Sequence, residues 1–184
     1  MRRKSSDTAA TRGVRYRVDA QARDVAAMRR LVAATPEFSP DERDVALELL
    51  EERLARGVAS DYFFIFAEAE EELIGYVAWG PIPLTESSYD LYWIVVDPAH
   101  QRAGVGRRLL ELTERAVAER GGGRVYIETS SREGYARTRE FYLRAEYAEI
   151  ARFEHFYAEN DAKVVYGKAV PGVDRTQEEL HNIL

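Results

Sequence analysis

The stretch with the most chemical content is Gln101-Arg102-Ala103-Gly104-Val105-Gly106-Arg107-Arg108. It follows an apolar run ending at Val96. It leads into Val105, Leu109, Leu112, Ala116 and Val117, which have helical spacing. A buried strand therefore runs into a glycine-bearing turn and then a helix. The first turn of a helix leaves about four N–H groups without partners, and partial positive charge gathers there. A diphosphate satisfies both conditions. Gly104 and Gly106 carry no Cβ, so backbone N–H groups can approach phosphate oxygens. Arg102, Arg107 and Arg108 add full charges, and a guanidinium can grip phosphate through two bonds.

Two well-known phosphate-binding turns fail at a defining position. A P-loop places Lys-Ser or Lys-Thr after its last glycine, and Arg107-Arg108 stands here. A dinucleotide fingerprint needs Gly or Ala where Leu109 stands. On these residues alone, a helix start whose glycines merely permit tight packing stays open.

Composition limits other chemistry. The chain has 184 residues and no cysteine, which removes disulfides, thiolate zinc sites and cysteine-linked intermediates. His100, His155 and His181 are far apart and show no metal-ligand spacing, so no metal is expected. A net charge of −6 opposes general nucleic-acid binding, which needs a basic face. No apolar run approaches the roughly 18 residues of a membrane span. Met1 to Arg12 lacks the apolar stretch of a secretory signal. The expectation is a cytoplasmic protein that binds neither membrane nor nucleic acid. One carboxylate stands out: Glu128 follows the apolar Val125-Tyr126-Ile127. Burial there would raise its pKa to a useful value, or it would pair with Arg137 or Arg139.

These residues need elements to position them. Gly13 to Asp19 alternates as a strand. Ala22 to Ala34 and Asp41 to Arg56 read as helices, the second capped by Asp41 and stopped by Gly57. Tyr62 to Glu68 and Leu73 to Trp79 form a hairpin through Glu70-Glu71-Glu72. Tyr89 to Val96 is a central strand closed by Asp97-Pro98. Its period of two puts Asp90, Tyr92, Ile94 and Val96 on one face. Trp79, Tyr89, Tyr92 and Trp93 pack in the core or line a pocket. Gly104 to Arg120 is a helix, Val125 to Thr129 a strand, and Tyr135 to Arg144 a helix. Tyr147 to Tyr157 and Lys163 to Ala169 are closing strands. The order predicts one α/β domain over residues 13–170, between tails at 1–12 and 171–184. The helices after Val96 and Thr129 supply the crossovers that parallel pairing requires.

Val96-x-Pro98 followed by Gln101-x-x-Gly104-x-Gly106 resembles the acetyl-coenzyme A motif of the GNAT acetyltransferase superfamily. Glu128-Thr129-Ser130-Ser131, Tyr135, Phe141-Tyr142 and Tyr147 resemble its second motif. The element order from Gly13 to Val170 also matches. The resemblance implies the GNAT acyltransferase fold: a single mixed, mostly antiparallel sheet of about seven strands flanked by helices, with a parallel splayed pair at the centre. It implies acetyl-coenzyme A as cosubstrate and direct transfer to an amine, without an acyl-enzyme.

By the same resemblance, Ile94 and Val95 line the pantetheine arm, and the Val96 N–H binds the acetyl carbonyl. Gln101, Arg102, Ala103, Gly104, Val105, Gly106 and Arg107 hold the diphosphate. Tyr142 matches the family's general acid. Asp90 matches the position of the catalytic Glu in the histone-acetylating branch, and Glu128 is the second candidate base. Two positions depart from the pattern. Tyr135 stands where an Asn commonly meets the pantetheine arm, and Glu146 stands where a Gly commonly ends the helix. Three readings stay open: an N-acetyltransferase for small-molecule amines, one for protein lysines or amino termini, and a silent acyl-coenzyme A binder. Homodimers through the final strands are a family habit.

Overall fold

The computed structural model describes residues 13–36 and 38–173. The tails expected at 1–12 and 171–184 lie outside the described residues, apart from 171–173. Strand β1, Arg15–Arg17, is shorter than its alternation predicts. Helices α1, Arg23–Ala33, and α2, Pro40–Arg56, follow. Ser39 caps α2, not Asp41. Its hydroxyl accepts from the Glu42 N–H at 3.2 Å, and the Glu42 carboxylate accepts from the Ser39 N–H at 2.8 Å. Pro40 fills the first helical position, where no N–H is needed, so the helix starts earlier and Asp41 falls in its first turn.

Strands β2, Phe63–Ala69, β3, Glu72–Pro81, and β4, Ser88–Val96, form a meander. Helix α3, Val105–Glu119, leads to β5, Gly122–Ser130. Helix α4, Ala136–Arg144, precedes the hairpin of β6, Ala148–Ala158, and β7, Asp161–Pro171. The seven strands are ordered β1-β2-β3-β4-β5-β7-β6. Only β4 and β5 pair in parallel. Helix α3 is their crossover, as expected. Helix α4 is not a crossover between neighbours, because β7 inserts between β5 and β6.

Two irregularities shape the centre of the sheet. Strands β4 and β5 pair only over Ser88–Asp90 and Arg124–Tyr126. Beyond Asp90 they part: β4 stays paired with β3 to Val96, and β5 with β7 to Ser130. A V-shaped gap opens with Asp90 at its apex. The second irregularity is a bulge. Trp79 opposes Leu91 and Ala78 opposes Trp93, which leaves Tyr92 unpaired as an extra residue.

A slip of one residue reverses every later side chain. Tyr89, Leu91, Ile94 and Val96 therefore pack in the core under α3 and α4, with Leu109, Leu110 and Tyr142. Tyr92, Trp93 and Val95 pack on the other face, with Met28, Leu47 and Leu50 of α1 and α2. This corrects the common face expected for Asp90, Tyr92, Ile94 and Val96. Asp90 shares the α1–α2 face with Tyr92, while Ile94 and Val96 lie across the sheet. No helix among the described residues is long and apolar enough to cross a membrane.

Candidate active site

A cavity of about 1310 Å³ follows the gap between β4 and β5. At one end it is lined by Gln101, Arg102, Gly104, Gly106 and Arg107. Ile94, Val95, Val96, Tyr135, Phe141 and Tyr142 line the middle. Asp90, Tyr92, Trp93, Glu128, Phe38 and Tyr157 line the far end. Among the described residues no cluster of three or more His, Asp or Glu could hold a metal ion.

The turn before α3 has the shape an anion needs. Arg102 (φ 64°) and Gly104 (φ 83°) are both left-handed, which gathers successive N–H groups into a concave surface. No side chain caps α3. A Cβ on Gly106 would lie 3.6 Å from Val96 Cγ2 and 3.7 Å from the Phe141 ring, so the missing Cβ keeps the end of the gap open. Gln101 Nε2 donates to the Val96 carbonyl at 3.2 Å and ties the turn to the end of β4. Ala103 packs at the edge of the core and Val105 is buried in it, so these two face the cavity through backbone at most. Arg107 lines the cavity with its Nε 3.1 Å from Glu111; Arg108 shares Glu111 and lies beside Tyr16.

The proton-transfer candidates differ sharply in setting. Tyr142 is 4% exposed, and its ring packs against Phe141, Tyr147 and Tyr166. Burial pushes its phenol far above the usual tyrosine value, with Tyr135 and Tyr166 adding to the lift, so it stays protonated at neutral pH. Asp90 is half-buried. Burial raises its carboxyl, Glu128 raises it further, and Lys163 opposes both. Glu128 corrects the sequence expectation. Its side chain is 51% exposed and pairs with Lys163 Nζ at 3.1 Å, not with an arginine. Alternation turned it away from the core: Val125 and Ile127 are buried, so Glu128 points to the opposite face. Arg139, the expected partner, donates instead to the Ser130 and Arg132 carbonyls, each at 2.8 Å.

The four aromatics divide between the faces. Trp79 and Tyr89 pack in the α3–α4 core, while Tyr92 and Trp93 line the cavity. Burial pushes the Tyr92 phenol up to about 12, with Asp90, Tyr62 and Asp61 contributing.

A family model described as the acetyltransferase (GNAT) family matches residues 25–147. A crystal structure of a GNAT-family protein from Desulfovibrio desulfuricans is 41% identical. The match covers 85% of this chain and 99% of that one, with a TM-score of 0.84. The chain belongs to the GNAT acetyltransferase family. The ribosomal-protein-S18-alanine N-acetyltransferase of Escherichia coli shares the fold at 15% identity, covering 88% of this chain and 98% of that one, with a TM-score of 0.68. The Salmonella typhimurium protein YncA, solved with its cofactor acetyl-CoA, does so at 18% identity, covering 86% and 94%, with a TM-score of 0.66. No curated protein matches the chain.

This GNAT acetyltransferase carries features that its motifs did not reveal. Phe38, from the α1–α2 connection, packs edge-on against Trp93 with centroids 5.0 Å apart. Tyr157, from β6, reaches the cavity from the opposite side. Arg132 Nε lies 3.1 Å from Asp161 at the rim. Lys163 could have been found from sequence. Alternation with the apolar Val164 and Tyr166 places it on the Glu128 face once β5 is known to pair with β7.

Proposed function

We propose that this acetyltransferase moves the acetyl group of acetyl-coenzyme A directly to a primary amine of a small molecule. The observation that carries the reading is the continuous cavity from the turn at Gly104 to the carboxylate Asp90 at the apex of the gap. Acetyl-coenzyme A supplies an activated acetyl thioester. The residues fit it. The uncapped start of α3, with two left-handed residues and an open Gly106, suits a diphosphate. Gln101, Arg102, Gly104, Gly106 and Arg107 hold it, with the N–H groups of Ala103 and Val105. Ile94, Val95 and Tyr135 flank the pantetheine arm. The Val96 N–H, beyond the end of β4–β5 pairing, donates to the acetyl carbonyl and stabilises negative charge there.

The amine must lose a proton to attack. Asp90 takes that proton through a water molecule, and its raised pKa makes it a better base than an exposed carboxylate. Tyr142 gives its phenolic proton to the departing sulfur. The protons balance: the ammonium gives one to Asp90 before attack, Tyr142 gives one to the departing thiolate, and the second proton shed by the nitrogen as the amide forms returns to Tyr142, leaving amide, thiol and a protonated Asp90 that discharges to solvent.

Phe38, Tyr92, Trp93 and Tyr157 enclose the acceptor end with aromatic walls, which favours a compact amine over an extended peptide. Acetyl-coenzyme A consumption across panels of amines, amino acids, polyamines and peptides tests this. Turnover is expected with small amines. Turnover confined to peptides would move the assignment to protein acetylation.

A further inference from the structure

Lys163 opens a ring of contacts that the transfer reaction does not itself require. Its partner in the β6–β7 ladder is Phe153, and its partner across β5 is Ser130. Glu128 lies on the diagonal of that second pair, on the same face of the sheet. Lys163 Nζ sits 3.1 Å from Glu128 Oε1, 4.2 Å from the Phe156 ring centroid and 5.5 Å from that of Phe153. The side chain is 16% exposed, against 51% for Glu128, so the ammonium is the fixed member of the pair.

Phe156 reaches Lys163 only because β6 is irregular. Between the pairs Phe153–Lys163 and Ala158–Asp161, the residues Glu154 to Tyr157 oppose Ala162 alone. His155 turns left-handed (φ 57°) to make this bulge, and its Nδ1 accepts from the Asn160 N–H at 3.1 Å. Phe156 then meets Tyr157 edge-on at 5.0 Å, which sends Tyr157 to the cavity and leaves Phe156 beside Lys163. A cation held against two rings is stabilised there and loses freedom to swing away.

We infer that Lys163 is a positioning residue: held by Glu128 and the rings of Phe153 and Phe156, its ammonium keeps the Glu128 carboxylate paired and fixes the charge that Asp90 meets, which leaves the base role to Asp90. The inference rests on the assignment of Asp90 as base. The charged groups that face Asp90 are few. Glu128 of β5 and Lys163 of β7 act on it directly, one raising and the other lowering its pKa. Tyr126 is its ladder partner, and Tyr92 follows it on β4, with Asp61 and Tyr62 beyond. At the mouth, Tyr157 is near Glu128, Asp161 and Glu42, Asp41 also lines the wall, and Asp161 is already paired with Arg132. Among the described residues, Lys163 is the cation that bears on Asp90, and it does so beside a carboxylate of opposite effect.

Titration of the Asp90 carboxyl by side-chain ¹³C NMR tests this without any acceptor, with the resonance assigned by its loss in Asp90→Asn. Lys163→Met is expected to move the midpoint up by about half a unit to one unit, because a nearby positive charge is lost. Glu128→Gln should move it down. The double variant should return near wild type, and Lys163→Arg should hold the wild-type value. Should Lys163→Met fold poorly, Glu128→Gln still reads the pair's effect on Asp90, with the opposite sign and from an exposed position. A midpoint unmoved in both single variants overturns the inference and leaves the base assignment standing. Unchanged turnover in Asp90→Asn, with the midpoint shifts intact, removes the base assignment and with it the role given to Lys163.

Discussion

The Tyr147 N–H donates to the Tyr142 carbonyl at 3.1 Å, and the two rings pack 6.3 Å apart. The Glu146 N–H donates to the Leu143 carbonyl, also at 3.1 Å. These paired bonds end α4 and hold Tyr142 in place, but they require Glu146 to be left-handed, at φ 67°. A side chain there carries strain that glycine lacks. Glu146→Gly should therefore stabilise the fold by about 1 kcal/mol, measured by urea denaturation, with turnover unchanged. A loss of stability would show that the Glu146 side chain makes a compensating contact.

Tyr142 holds its proton in a dry site, so removing only its hydroxyl should spare the core. Tyr142→Phe is expected to lower turnover by at least about tenfold, while coenzyme A affinity by calorimetry stays within about twofold. Wild-type turnover in this variant would remove the acid role. A parallel loss of coenzyme binding would make the residue a packing element instead.

Gly106 offers a clean test of the proposed diphosphate site, since its backbone is not left-handed and an added methyl meets only ordinary contacts. Gly106→Ala should leave the melting temperature unchanged or higher, because alanine favours helix. Coenzyme A affinity should fall about tenfold, the cost of losing one charge-assisted bond. Unaltered affinity would show that the ligand does not approach this peptide.

The element order was legible because apolar periods are local. Leu109, Leu112 and Val117 mark α3 by spacing alone, and Gly104 marks its start. The faces of β4 were not legible. They depend on Tyr92 being bulged against β3, a matter of pairing between distant segments that alternation in one strand does not encode. The setting of Glu128 failed for a related reason. Three apolar neighbours suggested burial, but a sheet covered unevenly on its two faces left this residue half-exposed. The sequence points to Asp41 as the α2 cap and the structure has Ser39: both are good caps, and only Pro40 between them decides.

The proposed role of Asp90 sets function against stability. Its pKa is raised in the folded state, so its favourable contribution is full below the unfolded value near 3.9 and is lost as pH rises through the folded value. At neutral pH the charged, half-buried carboxylate costs stability. Asp90→Asn should match or exceed the wild-type melting temperature at pH 7, and the difference should shrink toward pH 4. Turnover should fall sharply in the same variant. A less stable Asp90→Asn would mean that the carboxylate has a favourable structural partner.

The opposite sign applies to Glu68 on β2. It is 3% exposed and bound by Arg17 Nε at 2.8 Å and by Arg15 at 2.6 Å, while Arg17 also binds Asp24. Burial alone would raise its pKa, but the bonds and charges of Arg17 and Arg15 outweigh that and hold it below the usual glutamate value. Its contribution is therefore full above the unfolded pKa, near 4.3, and drains away as pH falls through the lower folded value. Arg15 is 67% exposed and adds little; Arg17, at 12%, is the partner that matters. Glu68→Gln leaves Arg17 only Asp24 for a buried charge and should cost about 3 kcal/mol at pH 7 by urea denaturation. That gap should narrow as the pH is lowered from 7 into acid, through the lowered folded value at which the wild-type carboxylate also becomes protonated. A variant equally destabilised at pH 7 and in acid would place the loss in packing, not in charge.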